Sequence, residues 1–356
     1  MRVAIYSPYL DTLGGGERYM MTIAEILSTK DSVEILLDAH LDSLGAEKLR
    51  KDLSDRFNLN LSKVNFIKAP IGRDSSYIER IFFMKRYDLL FYLTDGSIFY
   101  PTAKKNILHI QSPLVGQPSK SVWGKIKLEE WNLIIYNSDF TKKYSEKNWP
   151  NPSKVIYPPV DIDKIKFLKK KKYILSVGRF FGYLRDKKHK LLIEAFSDLY
   201  NREQLNGWSL HLVGSASEGD ESYLEELKNQ SNGLAVNFYP NLGYDNLIKL
   251  YGESSIYWHA SGFGEEDPTK MEHFGISTVE AMAAGSVPVV IGKGGQTEIV
   301  EHGKSGFLWN ILNELEEFTL KLIKSADLWE NLSKEAKIRA KSFSKEKFVQ
   351  KIRSLV

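Results

Sequence analysis

Short β-branched and apolar runs recur along this chain, separated by stretches with helical periodicity, and that alternation limits the fold more than any other feature. In the first half the runs fall at 3–6, 33–37, 64–68, 89–93, 107–110 and 133–136. In the second half they fall at 174–177, 209–214, 236–239, 256–260 and 287–291. Few of them alternate with polar residues, so both faces of each strand need cover. Strands of that kind, joined through helices, form parallel sheets with helices on both sides. A chain of 356 residues is too long for one ordinary core, so two α/β domains are expected. Tyr157-Pro-Pro-Val-Asp161 and the run Lys169-Lys-Lys-Lys172 mark a linker between them. The expected division is 1–160, a linker at 161–172, a second domain at 173–335, and a helical tail at 336–356. Lys169–Lys172 reads as a solvated charge run.

Composition narrows the function classes. Hydrophobic residues make up 42% and charged residues 26%, as in soluble globular proteins. No uncharged run approaches the ~18 apolar residues of a membrane-spanning helix, and the first residues are interrupted by Pro8 too soon for a signal peptide. Cysteine is absent, which removes disulfides and thiolate metal sites and fits a cytoplasmic protein. The net charge of +4 sits wholly in residues 1–160, which carry 22 Lys and Arg against 18 Asp and Glu. Such a surplus suits either a solvated surface or contact with an anionic membrane. Arg80-Ile-Phe-Phe-Met-Lys-Arg86 and Ser121-Val-Trp-Gly-Lys-Ile-Lys127 mix bases with aromatics and are the candidate membrane-contact segments.

The densest chemistry lies at 270–291. Glu272 and Glu280 stand eight positions apart, with Phe274-Gly275-Ile276 between them and an apolar helical run from Ile276 to Ala284. Gly275 lets backbone approach a ligand, and the first helical turn offers unpaired N–H groups to an anion. Two carboxylates around a phosphate-binding helix end outline a nucleotide-sugar site. Elsewhere, Gly14-Gly15-Gly16 joins a strand to a helix, which places Gly15 and Gly16 where backbone can meet a phosphate or simply make a tight turn. Gly294-Gly295-Gln-Thr-Glu298 repeats that device, and its N–H groups are candidates for the same work. Arg179 follows a strand and Lys187 opens a helix, so both converge on one sheet end. His109 closes the strand at 107–110; on residues alone it fits a core histidine. The Ser261–Lys270 loop is long, acidic and glycine-bearing, a candidate mobile cover. Asn137-Ser138 fits a helix cap, and Asp161-Ile-Asp163, after a Pro-Pro turn, fits capping better than metal binding. Gly303-Lys304-Ser305 lacks the first P-loop glycine, Glu298 standing in its place, and the seven histidines show no paired ligand spacing.

The Glu-x7-Glu pattern with its embedded Phe-Gly resembles the retaining GT-B glycosyltransferases of family 4. Its Glu-His-Phe-Gly-Ile form resembles bacterial polysaccharide glycosyltransferases and the dolichol-linked α-1,2-mannosyltransferases. The resemblance implies an α/β GT-B fold, two Rossmann-like domains with parallel sheets facing a central cleft, and a last helix that crosses back to the first domain. It implies a hexosyltransferase that moves a sugar with retention from a nucleotide-diphosphate-sugar to a hydroxyl of a lipid-linked or polysaccharide acceptor. GDP-mannose is favoured as donor, with UDP-sugars open. Glu272 would lie by the donor sugar and Glu280 on the ribose, with Arg179 and Lys187 on the diphosphate beside the N–H groups of Phe274, Gly275 and Ile276. Gly214 corresponds to a family glycine that lets backbone approach the nucleotide, and His109 to a histidine near the transferred sugar. The family has glycine after its lysine where this chain has Lys188, which leaves Lys187 and Lys188 as alternatives. No metal or cofactor is expected, nucleic acid is not a partner, and the site of action is the cytoplasm or the cytoplasmic face of a membrane. A nucleotide-sugar epimerase or hydrolase on the same fold, or a non-catalytic nucleotide-sugar-binding subunit, are the competing readings.

Overall fold

The apolar runs become strands with both faces covered, and their side chains divide by simple alternation. A computed structural model describes residues 1–72, 75–116, 121–202 and 205–356. Its contacts separate the chain into two units, Met1–Pro159 with Glu346–Val356, and Val160–Lys345. The first unit holds β1 (Arg2–Tyr6), β2 (Ser32–Leu37), β3 (Val64–Lys68), β4 (Leu89–Leu93), β5 (Lys105–Ile110), β6 (Leu133–Tyr136) and β7 (Ser153–Val155). They form one parallel sheet in the order β3-β2-β1-β4-β5-β6-β7. Val3 and Ile5 point into a core with Met20, Ile23 and Phe91, while Ala4 and Tyr6 point the other way, towards Tyr92, Phe99 and Trp131. Phe348, Ile352 and Leu355 pack into the first of these cores, which places the end of the chain in the first unit.

The second unit repeats the plan. β8 (Lys171–Val177), β9 (Ser209–Gly214), β10 (Val236–Pro240), β11 (Ser254–His259), β12 (Val287–Ile291) and β13 (Phe307–Trp309) form a parallel sheet in the order β10-β9-β8-β11-β12-β13. Its core runs from Ile174 and Leu212 through Trp258 to Trp309. Both sheets are thus wound outward from their first strand, with a reversal between β1 and β4 and again between β8 and β11. At such a reversal the connecting helices leave on opposite faces, which opens a crevice at the carboxyl ends of the two strands. No helix among the described residues is long and apolar enough to cross a membrane.

Three readings of the sequence need correction. β7 and β13 are real strands that the apolar pattern does not reveal, since each is three residues long and sits at a sheet edge. The run Lys169–Lys172 is not uniformly solvated. Lys170 buries its ammonium, which donates to the carbonyl oxygens of Tyr251, Ser254 and Ala284 at 3.4, 2.8 and 2.7 Å. Those carbonyls close the helices Tyr244–Glu253 and Ile276–Ala283, where a cation meets unsatisfied acceptors and the negative end of the helix dipole. Burial, with Lys337 nearby, pushes the Lys170 ammonium down to about 7. Asp161 makes no side-chain cap; its carboxylate faces Lys164 at 3.9 Å and Lys345 at 3.8 Å.

Three histidines are buried in the neutral state. Burial pushes His109 down to about 3, and His189 and His211 to about 4. Unfolded histidine titrates near 6.5, so between ~6.5 and ~4 the unfolded chain takes up protons that the folded chain declines. Stability is therefore fully present above that range and falls as the pH drops through it. Thermal melts between pH 7 and pH 4 are expected to show this slope, and His109→Phe to reduce it by one proton equivalent in the first unit. An unchanged slope in the variant would contradict the burial argument.

Candidate functional site

The reversal between β8 and β11 gathers most of the sequence-flagged residues of the second unit. β8 ends at Val177 and delivers Gly178-Arg179; β11 ends at His259 and leads through the acidic loop to Glu272. The Lys187 stem lies across Gly178, close enough that a β-carbon there would sit 2.7 Å from Lys187 Cγ. From that position Lys187 Nζ donates to Glu272 Oε2 at 2.9 Å, and it also lies 3.6 Å from Asp186. His259, itself 3% exposed, donates from Nε2 to the same oxygen at 3.1 Å. Both contacts fall on Oε2. Oε1 of Glu272 accepts no hydrogen bond among the described residues.

The electrostatics follow from this crowding. Burial works against the ionised form of Glu272, but the Lys187 charge and the His259 hydrogen bond outweigh it and hold the carboxyl well below the usual carboxylate range. Burial likewise disfavours the Lys187 ammonium, and Glu272 with Asp186 more than restores it, so its affinity for a proton is raised. The pair is therefore a full ion pair throughout the neutral range. Arg179, exposed on the loop after β8, adds a second cation, and its charge opposes that of Lys187.

Lys187 and Lys188 separate cleanly. Lys188 sits in the left-handed region at φ +55° as the cap of the helix His189–Asn201, a conformation costing a non-glycine residue roughly 1–2 kcal/mol. That conformation is open to glycine without cost. The Lys188 side chain reaches Glu265 Oε1 at 2.6 Å, and Lys293 Nζ donates to the Glu265 carbonyl at 2.8 Å. The 261–270 loop is thus tied by two lysines, while Lys187 alone meets Glu272.

The helix Ile276–Ala283 begins at Gly275, whose φ of +118° favours glycine. A β-carbon at Gly275 would also meet Gln296 Nε2 at 2.7 Å. Thr278 and Val279 N–H groups return to the Gly275 carbonyl, and those of Ile276 and Ser277 have no intrahelical partner. Glu280 lies ~6 Å further along the axis and is 8% exposed. Phe274 is spent on packing, its ring edge-on to Phe343 at 5.5 Å. The Gly294-Gly295 turn packs against the Glu272 backbone. Gly295 N–H donates to the Glu272 carbonyl at 2.7 Å, and a β-carbon at Gly294 would lie 2.3 Å from that same oxygen. The turn clamps the backbone that carries the Glu272 carboxylate. Gly214 is constrained by packing too, with its missing β-carbon directed at the Gly178 carbonyl, 1.9 Å away.

In the first unit, Gly15 and Gly16 open the helix Gly15–Leu27 after β1. The Glu17 carboxylate accepts from Gly14 N at 2.9 Å, so the helix end already carries an internal anion, and burial pushes its pKa up. Gly16 makes room for the Gln111 side chain. His109 is fully buried, stacked on Tyr19 at 3.9 Å between ring centres, with Nδ1 donating to the Ile135 carbonyl at 3.2 Å. Its Nε2 has no partner among the described residues. Ser138 caps the helix Asp139–Ser145 by accepting from Thr141 N at 3.0 Å. His259 is the residue that sequence reasoning missed; its position as the last residue of β11, just before the acidic loop, was the available signal. Among the described residues, no three His, Asp or Glu side chains gather as a metal site would need.

Comparison with known proteins agrees with this architecture. The family model for glycosyl transferases group 1 matches residues 159–339, half of the chain. The GDP-Man:Man(3)GlcNAc(2)-PP-Dol alpha-1,2-mannosyltransferase of Dictyostelium discoideum is 29% identical over 238 residues, covering 61% of this chain and 45% of that protein. The chain therefore spans less than half the length of that relative. The Mus musculus protein of the same description is 24% identical over 391 residues, covering 88% of this chain and 77% of that protein. In fold, the chain is similar to Anabaena HepE, solved with UDP and glucose, at a TM-score of 0.71 and 19% identity, covering 100% of this chain and 99% of that one. Two doubly wound parallel sheets, the second matched over its full length by one family model, make this chain a GT-B protein of the group 1 glycosyltransferase family.

Proposed function

We propose that the chain transfers a hexose from a nucleoside-diphosphate sugar to a hydroxyl of a lipid-linked or polysaccharide acceptor, with retention of anomeric configuration, as family 4 enzymes do. The observation that carries this reading is the Lys187–Glu272–His259 cluster at the β8/β11 reversal. It sets a cation and a carboxylate, bonded to the protein through Oε2, shortly before the Ile276–Ala283 helix. A diphosphate on that helix end meets Lys187 and Arg179, which neutralise the charge that grows on the leaving oxygens. Oxygen Oε1 of Glu272 accepts a hydroxyl of the donor sugar, while Glu280 takes the ribose hydroxyls. Gly214 brings backbone close to the nucleotide, and the Phe274–Ile276 amides complete the phosphate cradle. Gly15 and Gly16 are assigned to the donor because a strand–glycine–helix turn lets backbone approach a phosphate, and a neutral His109 is assigned on resemblance.

The chemistry is a front-face substitution. The bond from the sugar's anomeric carbon to the diphosphate oxygen breaks, and the acceptor oxygen bonds to the same face of that carbon. The acceptor's proton passes to the departing phosphate, so no carboxylate nucleophile is required. The two cations and the helix end supply the stabilisation that a metal ion supplies elsewhere, and the reading uses no metal. GDP-mannose is the favoured donor, supported by the similarity to the GDP-Man-dependent mannosyltransferases of Dictyostelium discoideum and Mus musculus. Action at the cytoplasmic face of a membrane fits a lipid-linked acceptor.

Two outcomes are expected. Glu272→Ala is expected to lower kcat roughly 10²–10³-fold or more in a sugar-transfer assay, with its far-ultraviolet circular dichroism unchanged; unimpaired transfer would remove Glu272 from the site. In a thermal-shift panel of GDP, UDP, ADP and dTDP with their sugars, GDP and GDP-mannose are expected to stabilise most. A ligand at 100 times its Kd adds ~2.7 kcal/mol of stability. A panel in which no diphosphate shifts the melt contradicts the assignment, and a larger shift with UDP reassigns the donor.

A further inference from the structure

Lys188 takes no part in the donor chemistry, yet it holds the acidic loop that leads to Glu272. That loop is an excursion with a narrow neck. It leaves β11 after His259 and returns at Met271, and a β-carbon on Gly262 would lie 3.5 Å from the Met271 Cα. Just inside the neck, Gly262 and Gly264 hold φ of +103° and +74°. The backbone bonds within the loop are short-range: Phe263 N donates to Ala260 O, Glu265 N to Gly262 O and Lys270 N to Asp267 O. A compact loop with close ends depends for its position on what its side chains and outer carbonyls meet. Here Glu265 is the main point of attachment. Lys188 Nζ donates to Glu265 Oε1 at 2.6 Å, and Lys293 Nζ donates to the Glu265 carbonyl at 2.8 Å while lying 3.6 Å from Glu266.

The backbone of Lys188 shows what its side chain is there to do. Its φ of +55° is open to glycine and costly for a residue with a β-carbon. The side chain gives nothing back to the helix His189–Asn201, since it makes no cap hydrogen bond. Its contact with Glu265 is what a lysine adds at this position. The two side chains are only 25% and 24% exposed, so water screens them less than it does a surface ion pair. Backbone strain kept beside a polar site points to a role in that site. Lys187 and Lys188 are consecutive, and they hold Glu272 and Glu265 respectively. One two-residue stretch therefore fixes both the carboxylate and the loop leading to it.

We infer that Lys188 is a positioning residue that latches the 261–270 loop beside Glu272 and keeps water from the donor sugar. The inference rests on the glycosyltransferase reading and adds to it the control of which oxygen receives the sugar. With the latch closed, the acceptor hydroxyl reaches the anomeric carbon. With it open, water takes that place. The water oxygen bonds to the anomeric carbon, the bond to the diphosphate oxygen breaks, and a water proton passes to the departing phosphate. The products are free sugar and nucleoside diphosphate, the side reaction that a closed loop suppresses.

Hydrogen–deuterium exchange and a product assay with GDP-mannose test this on the wild type, Lys188→Gly and Glu265→Gln. Glycine accepts the left-handed backbone, so Lys188→Gly is expected to fold with unchanged circular dichroism. Exchange across 261–270 is expected to be at least ~10-fold faster in both variants, with β8 and β12 unchanged. The ratio of donor hydrolysis to transfer is expected to rise by about the same factor, while GDP affinity stays as in the wild type. The swapped pair Lys188→Glu/Glu265→Lys is expected to restore slow exchange and the low ratio. Unchanged exchange in Lys188→Gly overturns the latch. Faster exchange with an unchanged product ratio overturns the positioning role and leaves a structural tie. A loss of GDP affinity in Lys188→Gly overturns it as well, because Lys188 would then be a phosphate ligand. The exchange measurement needs no donor or acceptor, so it stands apart from the transfer assay. A wild type that releases only free sugar whatever the acceptor would count against the glycosyltransferase reading instead.

Discussion

A carboxylate with a fifth of its side chain exposed, Glu272, is kept ionised by two donors that both land on one of its oxygens, and the second unit is arranged around that fact. An ionised group so nearly removed from water requires a partner charge and filled hydrogen bonds, and losing either leaves an uncompensated charge. Lys187 supplies the charge and His259 the second donor. The backbone beneath Glu272 is clamped by Gly295 N–H, and the loop leading to it is tied through Glu265 to Lys188 and Lys293. What the protein gains is a preorganised polar site in which both protein donors meet Oε2 of one carboxylate. Preorganisation of this kind lowers a reaction barrier because the dipoles and charges need not reorient as the leaving group departs.

The two units use the same winding to opposite chemical ends. Each has its strand-order reversal next to its first strand, and each sends a glycine-bearing loop from that strand into a helix or its approach. In the second unit the loop after β8 brings Arg179, and Lys187 follows before the next helix. In the first unit the corresponding helix end carries its own anion, Glu17, and the histidine at the end of β5 is neutral at any ordinary pH. Identical topology therefore sets only where ligands approach; the residues placed on the strand ends decide what kind of ligand is welcome.

Much of this was legible in the sequence, and the exceptions have physical causes. Buried parallel strands are long apolar runs, so β1 to β6 and β8 to β12 announce themselves. β7 and β13 do not, because a three-residue edge strand buries too little to need a distinctive pattern. Glu272, Glu280, Arg179 and Lys187, the residues of the proposed site, could be named from the sequence because charged groups beside a glycine turn or a strand end match the pattern that the resemblance implies. His259 was hidden because its importance comes from a contact across 13 positions, made only once β11 and the following loop are folded. Lys170 misled for the opposite reason. A run of lysines reads as solvated, yet the tertiary fold directs this one into the carbonyl ends of two helices. Glycines mark positions of close approach along the sequence, and the protein groups that lie against them show only in the fold. Gly294 and Gly295 meet the Glu272 backbone, and Gly214 meets Gly178.

The account stands on Lys187 serving a diphosphate rather than only balancing Glu272. Calorimetric binding of GDP and of guanosine to the wild type and to Lys187→Ala tests that directly. The wild type is predicted to bind GDP far more tightly than guanosine. The variant should lose about tenfold or more in GDP affinity and keep its affinity for guanosine. A variant that binds GDP as tightly as the wild type would contradict the account, because Lys187 would then be a structural partner of Glu272 and nothing more.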